Sequence, residues 1–181
     1  MEQQESFASR LAAGTATASK MASWWPRHVH ATSEYLGLRA GGSDEAQAKG
    51  AREVLLSIAK DWESSVPCAA RKRAGVSCGL MVEHATLETL FVEAALGADA
   101  AAIDRIATRM LTNAKAHGAR YGHAIKGFPE SRFSELLREH ISLFIEAVTL
   151  RIDRNASGAV RCTKKAEENA VAIAMIAAEW L

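Results

Sequence analysis

The sequence predicts an all-α protein: an up-down-up-down four-helix bundle made of two repeated helical hairpins, with an additional N-terminal helix or helices packed alongside. Three observations predict it. A shift of 56 positions carries Glu83-His84 onto Glu139-His140 and, in step, Leu80 onto Leu136, Leu87 onto Leu143, Val92 onto Val148, Arg105 onto Arg161 and Asn113-Ala114 onto Asn169-Ala170. Apolar residues recur in alternating steps of three and four through both copies, which is the period of a helix with one buried face. The composition, with 6% aromatics and three prolines in 181 residues, favours helix over sheet.

Residues 1–42 read as an N-terminal extension that is only weakly helical. Phe7, Leu11 and Met21 have helical spacing, but Ala, Ser and Thr dilute the face, so a marginal helix leaning on the bundle is expected up to Trp24-Trp25-Pro26. The tryptophan pair stands outside any periodic core pattern. Self-association or docking is therefore placed on this extension, with packing back onto the bundle as the alternative. His28 and His30 flank Val29, but with no further Cys or His close in sequence they read as a polar capping segment rather than a metal pair.

The bundle domain covers 43–181. Ser43 is a suitable N-cap, Asp44 and Glu45 suit the positive first turn, and Ala51, Val54, Leu55, Ile58 and Trp62 form one stripe of a helix over 44–64, ended by Val66-Pro67. The following Arg71-Lys72-Arg73 reads as solvated linker. The core repeats are 79–118 and 129–180. In the first, Leu80, His84, Leu87 and Phe91 mark the inner face of a helix over 79–97, closed by Gly97; Asp99 caps a helix over 99–118 with Ile103, Ile106, Met110, Asn113 and His117 inward, ending at Gly118. After Gly127-Phe128-Pro129, helix 129–153 repeats the seam with Phe133, Leu136, His140 and Leu143. Helix 158–180 closes it with Ala159, Cys162, Ala166, Asn169 and Ile173.

His84 and Asn113 are equidistant from the Gly97–Asp99 turn, and His140 and Asn169 from the Arg154–Gly158 turn, so His84, Asn113, His140 and Asn169 are expected in one layer across the bundle. Three uses of that layer stay open. Two imidazoles and two carboxamides can satisfy one another as a closed structural network. The layer can line a small-molecule site. It can also hold a divalent transition metal through His84 and His140, helped by Glu88, one turn on from His84, and by His117, one turn on from Asn113. Di-iron bundles use Glu-x-x-His on one face, whereas Glu83-His84 and Glu139-His140 are adjacent and point about 100° apart.

The 22 basic and 21 acidic residues nearly cancel, so neither nucleic acid nor an acidic membrane is an expected partner. The apolar run Ala170–Ala178 is too short to span a bilayer. Cys68, Cys78 and Cys162, an odd count without CxxC spacing, suit a reducing, cytoplasmic setting; a Cys68–Cys78 bridge is the alternative. No nucleophile–base–orienter set and no Gly-rich phosphate loop is present. The expected function is a non-catalytic structural or binding module with a buried His/Asn layer and no cofactor, the alternative being a metal- or small-ligand-binding bundle centred on His84 and His140.

The stretches Leu80–Thr86 (LMVEHAT), Leu111–Asn113, Ala124-Ile125-Lys126, Leu136–Ile141 (LLREHI) and Asn169-Ala170 carry a resemblance over about residues 79–181. They are similar to a family of small bacterial four-helix-bundle proteins of unassigned function, in which Asp/Glu-His on the first and third helices and Asn on the second and fourth recur. The resemblance implies the bundle fold and the polar layer. It implies no reaction.

Overall fold

A computed structural model describes residues 7–65 and 79–180, with side chains from Ser23 onward. All the regular structure among them is helical: α1 (Phe7–Ala40), α2 (Glu45–Ser65), α3 (Leu80–Leu96), α4 (Ala100–Ala124), α5 (Glu130–Ile152) and α6 (Ala156–Trp180). Among the described residues no helix is long and apolar enough to cross a membrane. Cys68, Cys78 and Arg71-Lys72-Arg73 lie outside the described residues; Cys162 is buried with a free thiol.

The helix boundaries follow the capping chemistry. At the end of α3, Ala98 adopts φ 52°, its N–H bonds the Ala95 carbonyl, and the Asp99 N–H reaches back to the Ala94 carbonyl at 3.0 Å. That is a Schellman turn, in which a left-handed residue lets the chain satisfy the last helical carbonyls. The Asp99 side chain then caps α4 through the Ala102 N–H. The same turn ends α5, with Arg154 at φ 58°, the Asn155 N–H on the Leu150 carbonyl at 2.8 Å and the Asn155 side chain accepting from the Gly158 N–H. It also ends α1, with Gly42 at φ 69° and the Ser43 N–H on the Leu38 carbonyl at 3.1 Å. Residues 42, 98 and 154 stand 56 apart, so the hairpin repeat has three copies: α1–α2, α3–α4 and α5–α6.

Packing agrees with the threefold repeat. The helices close a ring in chain order, α6 returning onto α1, while α1, α3 and α5 also touch one another inside it and α2, α4 and α6 do not meet. Equivalent positions in the three inner helices are buried together: Trp25, Met81 and Leu137; Val29, Ala85 and Ile141; Leu36, Val92 and Val148. These residues belong to one hydrophobic core.

Four expectations change. Residues 7–40 form a long helix that passes through Pro26 and contributes an inner face; the small Ala, Ser and Thr residues hid its amphipathicity. Trp24 and Trp25 are buried, which removes the exposed aromatic pair on which self-association was placed. Because α1 stands against α6, α3 and α6 are not packed on each other as the first and last helices of a four-helix bundle would be. Gly118, expected to end its helix, sits inside α4, which runs to Ala124. There Gly118 and Gly122 admit α5: a Cβ on Gly118 would overlap Ser134 Oγ and lie 2.9 Å from the Glu130 carbonyl oxygen.

Candidate metal centre

The threefold repeat places one histidine on each inner helix at the same height: His28 on α1, His84 on α3 and His140 on α5. Their ring centroids form a near-equilateral triangle with sides of 5.3, 5.7 and 5.7 Å, and the rings are tilted by 42°, 43° and 37° to one another. One turn further on, the equivalent positions are Thr32, Glu88 and Phe144, all buried. Only the middle copy supplies a carboxylate. Glu88 reaches into the triangle, with Oε2 3.2 Å from His28 Nε2 and Oε1 3.4 Å from His84 Nε2 and 3.5 Å from His140 Nε2. Ligand atoms from these four residues lie within 4.8 Å of one another.

The electrostatics are those of a charge held away from water. Glu88 is 1% exposed. Burial pushes its pKa up, but the three imidazoles around it, His28, His84 and His140, outweigh that and hold it well below the usual carboxylate range. The Thr32 hydroxyl donates to Oε2 at 3.1 Å and fixes the carboxylate. His140 is driven down to about 4, first by burial, against the pull of Glu88 and with the push of His28 and His84. The Nε2 atoms of all three imidazoles, together with Glu88 Oε1, find no partner of hydrogen-bond geometry. Four such orphans at one point cost several kcal/mol unless something joins them, at about 1 to 3 kcal/mol each.

On the opposite side of the histidine triangle the neighbours are indoles, and the buried Trp25 Nε1 has no hydrogen-bond partner. Trp25 lies over all three rings, with centroids 5.5, 6.2 and 5.4 Å from His28, His84 and His140. Trp24 stacks on His28 at 5.1 Å with 8° between the planes, and its indole N–H is taken by the Ile58 carbonyl. On the Glu88 side, Phe144 leans on Phe91 at 5.7 Å.

Of the residues singled out from the sequence, His84, His140 and Glu88 come together here. Asn113 and Asn169 are buried in the neighbouring helices, and their hydrogen bonds run elsewhere. The Asn113 amide donates to the Leu80 carbonyl at 3.1 Å and to Glu83 at 3.0 Å; the Asn169 amide donates to the Leu136 carbonyl at 3.2 Å and to Glu139 at 3.0 Å. Each asparagine thus clamps its own hairpin, which gives the Glu of each Glu-His pair a structural task while the His turns inward. Burial, and then the nearby His84, drive His117 down to about 3, but it lies outside the four-residue ligand group.

His28 and Thr32 are the members that the sequence reading missed. The signal was present, because His28 precedes His84 by the same 56 residues that separate His84 from His140. Comparison of the chain with family models, with curated proteins and with solved structures returns no match.

Proposed function

We propose that this protein is a metal-binding helical protein in which His28, His84, Glu88 and His140 hold a divalent transition ion. The observation that carries the reading is convergence: four buried ligating side chains, drawn from all three inner helices, meet within 4.8 Å with their imidazole Nε2 atoms otherwise unpartnered. The separations of 3.2 to 3.5 Å from the Glu88 oxygens to the three imidazole Nε2 atoms are close to the roughly 3.3–3.4 Å between ligands about 2.0–2.1 Å from a tetrahedral metal, and the wider spacings, up to 4.8 Å, would close on the ion. Imidazoles with one carboxylate suit zinc, iron, manganese or copper better than calcium or magnesium.

Four protein ligands and a tryptophan lid leave no position for a substrate, which supports a structural or electron-carrying centre over a hydrolytic one. This keeps the expected non-catalytic role and gives it a chemical basis. The up-down-up-down alternation of α3 to α6 and the likeness to the small bacterial bundle proteins fit as two of the three hairpins. A second reading has its own observation: Thr32 and three imidazoles surround Glu88 closely enough to satisfy it as a metal-free ion network.

Elemental analysis of untagged protein separates the two. Stoichiometric transition metal, lost in His28→Ala and in the His84→Ala/His140→Ala double variant, is the expected result. Metal-free protein that cannot be loaded with zinc, iron, manganese or copper overturns the proposal.

A further inference from the structure

Three of the four tryptophans gather at the histidine triangle, and they continue away from it as a chain of aromatic rings. From His28 the path steps to Trp24 at 5.1 Å and to Trp62 at 4.9 Å, with Trp25 joining both at 5.1 and 5.8 Å. The Trp62 indole N–H then donates to the Tyr121 hydroxyl at 3.2 Å. Beyond Tyr121, Phe128 at 5.6 Å leads to Trp180, a further 6.5 Å on and partly exposed near the end of α6. The gaps as far as Tyr121 are short for electron tunnelling, and Phe128, which is not itself readily oxidised, bridges Tyr121 and Trp180. Indole and phenol are also the side chains most readily oxidised by one electron apart from thiols.

A core needs bulk at these positions, but bulk alone does not explain their identity. Met81 and Leu137 fill the positions equivalent to Trp25, and Leu80 and Leu136 those equivalent to Trp24. Only the first hairpin puts indoles there, and its partner helix α2 supplies Trp62 where α4 and α6 carry Gly118 and Ala174. Trp24, Trp25, Trp62 and Tyr121 therefore form one path on one side of the centre.

We propose that the centre is redox-active and exchanges single electrons with an acceptor at the surface along Trp24, Trp62 and Tyr121, with Trp180 as the outer contact. The inference rests on the metal-centre reading above and narrows it to a metal with two accessible oxidation states, iron, manganese or copper rather than zinc. The step is outer-sphere. An ion held by His28, His84, Glu88 and His140 would supply one electron and the external one-electron acceptor would take it, with no net bond formed or broken: the phenol proton that Tyr121 releases on oxidation returns when it is re-reduced. The acceptor class is a one-electron oxidant too large to enter the core, such as a metal complex or another protein's redox group.

The test loads the full chain with ferrous iron without oxygen and mixes it with hexachloroiridate(IV), following iron oxidation by stopped flow. Iron stoichiometry and melting temperature are measured in parallel for the wild type, Trp24→Phe, Trp62→Phe and Tyr121→Phe. Slower oxidation in the Phe variants at unchanged iron content is the expected result. In the wild type, freeze-quenched samples show a transient tryptophan or tyrosine radical, a readout that does not depend on the variants folding. Equal rates in all variants, or no aromatic radical in the wild type, overturn the relay while leaving metal binding intact. Retention of zinc with refusal of iron, manganese and copper also overturns it. Failure to bind any of these ions strikes the metal-centre reading itself.

Discussion

Replacing Gly118 by alanine tests the close approach that sets α5, and with it His140, against the rest of the core. Alanine raises intrinsic helix stability by about 0.8–1 kcal/mol over glycine, so at an open helical site the change stabilises. Gly50 in α2 is such a site, since a methyl group there would meet nothing within 4 Å. At Gly118 the methyl overlaps Ser134 Oγ, which can rotate away, and stands 2.9 Å from the Glu130 carbonyl, which cannot, because it belongs to the first turn of α5. Overpacking of that kind costs about 1–3 kcal/mol, leaving a net loss of up to about 2 kcal/mol after the helix gain. For a chain of this size that lowers Tm by up to roughly 4–8 °C, while Gly50→Ala raises it by a few degrees. Thermal melts of both variants are the assay. Gly118→Ala melting as high as Gly50→Ala refutes the packing argument. Recovery in Gly118→Ala/Ser134→Ala is expected to be partial, since the contacts with the Glu130 carbonyl at 2.9 Å and with the Cβ of residue 134 at 3.2 Å then remain.

Thr32→Val removes the hydroxyl that fixes Glu88 and is expected to weaken metal binding by about 10–100-fold in a chelator competition, with Thr32→Ser keeping most of the affinity. Asn113→Leu and Asn169→Leu each remove two hydrogen bonds that tie the helices of one hairpin together, and denaturant melts are expected to show losses of about 1–3 kcal/mol for each. Acid destabilises the metal-free protein by a defined route. His140 and His117, held down to about 4 and about 3, stay neutral in the fold while the unfolded chain takes up protons below its ordinary histidine pKa of about 6.5. Stability attributable to these groups is therefore flat above about pH 6.5 and falls below it by up to roughly 1.4 kcal/mol per pH unit for each, until pH approaches the folded values. His117→Gln should flatten that slope in pH-dependent denaturant melts.

The helices and two of the three hairpins were legible because their signals are local: a cap at Asp99, glycine at 97, a turn over Arg154–Gly158, and a seam of large apolar residues at helical spacing. The first hairpin was not, for two physical reasons. It lacks the Glu and Asn of the clamp, carrying Arg27 and Ser57 at those positions, so the motif that advertises the repeat is missing. Its local sequence also suggests the wrong register, since His30-Ala31-Thr32 matches His84-Ala85-Thr86 with an offset of 54. The fold uses 56, which buries His28 and leaves His30 exposed. The seam histidines and Glu88 were found from their faces. The destination of the asparagines was not, because equal height along a hairpin does not say whether a side chain turns toward the central axis or toward its partner helix.

The central claim is that three pseudo-equivalent histidines and one glutamate share an ion. Anomalous diffraction from crystals of untagged, metal-loaded protein, collected on both sides of the absorption edge of the loaded metal, tests this most directly. The result expected is a single strong peak enclosed by His28, His84, Glu88 and His140, absent below the edge and absent in crystals of His28→Ala. Fully loaded crystals with no peak between those four side chains, or with the ion bound only at surface carboxylates, would contradict it.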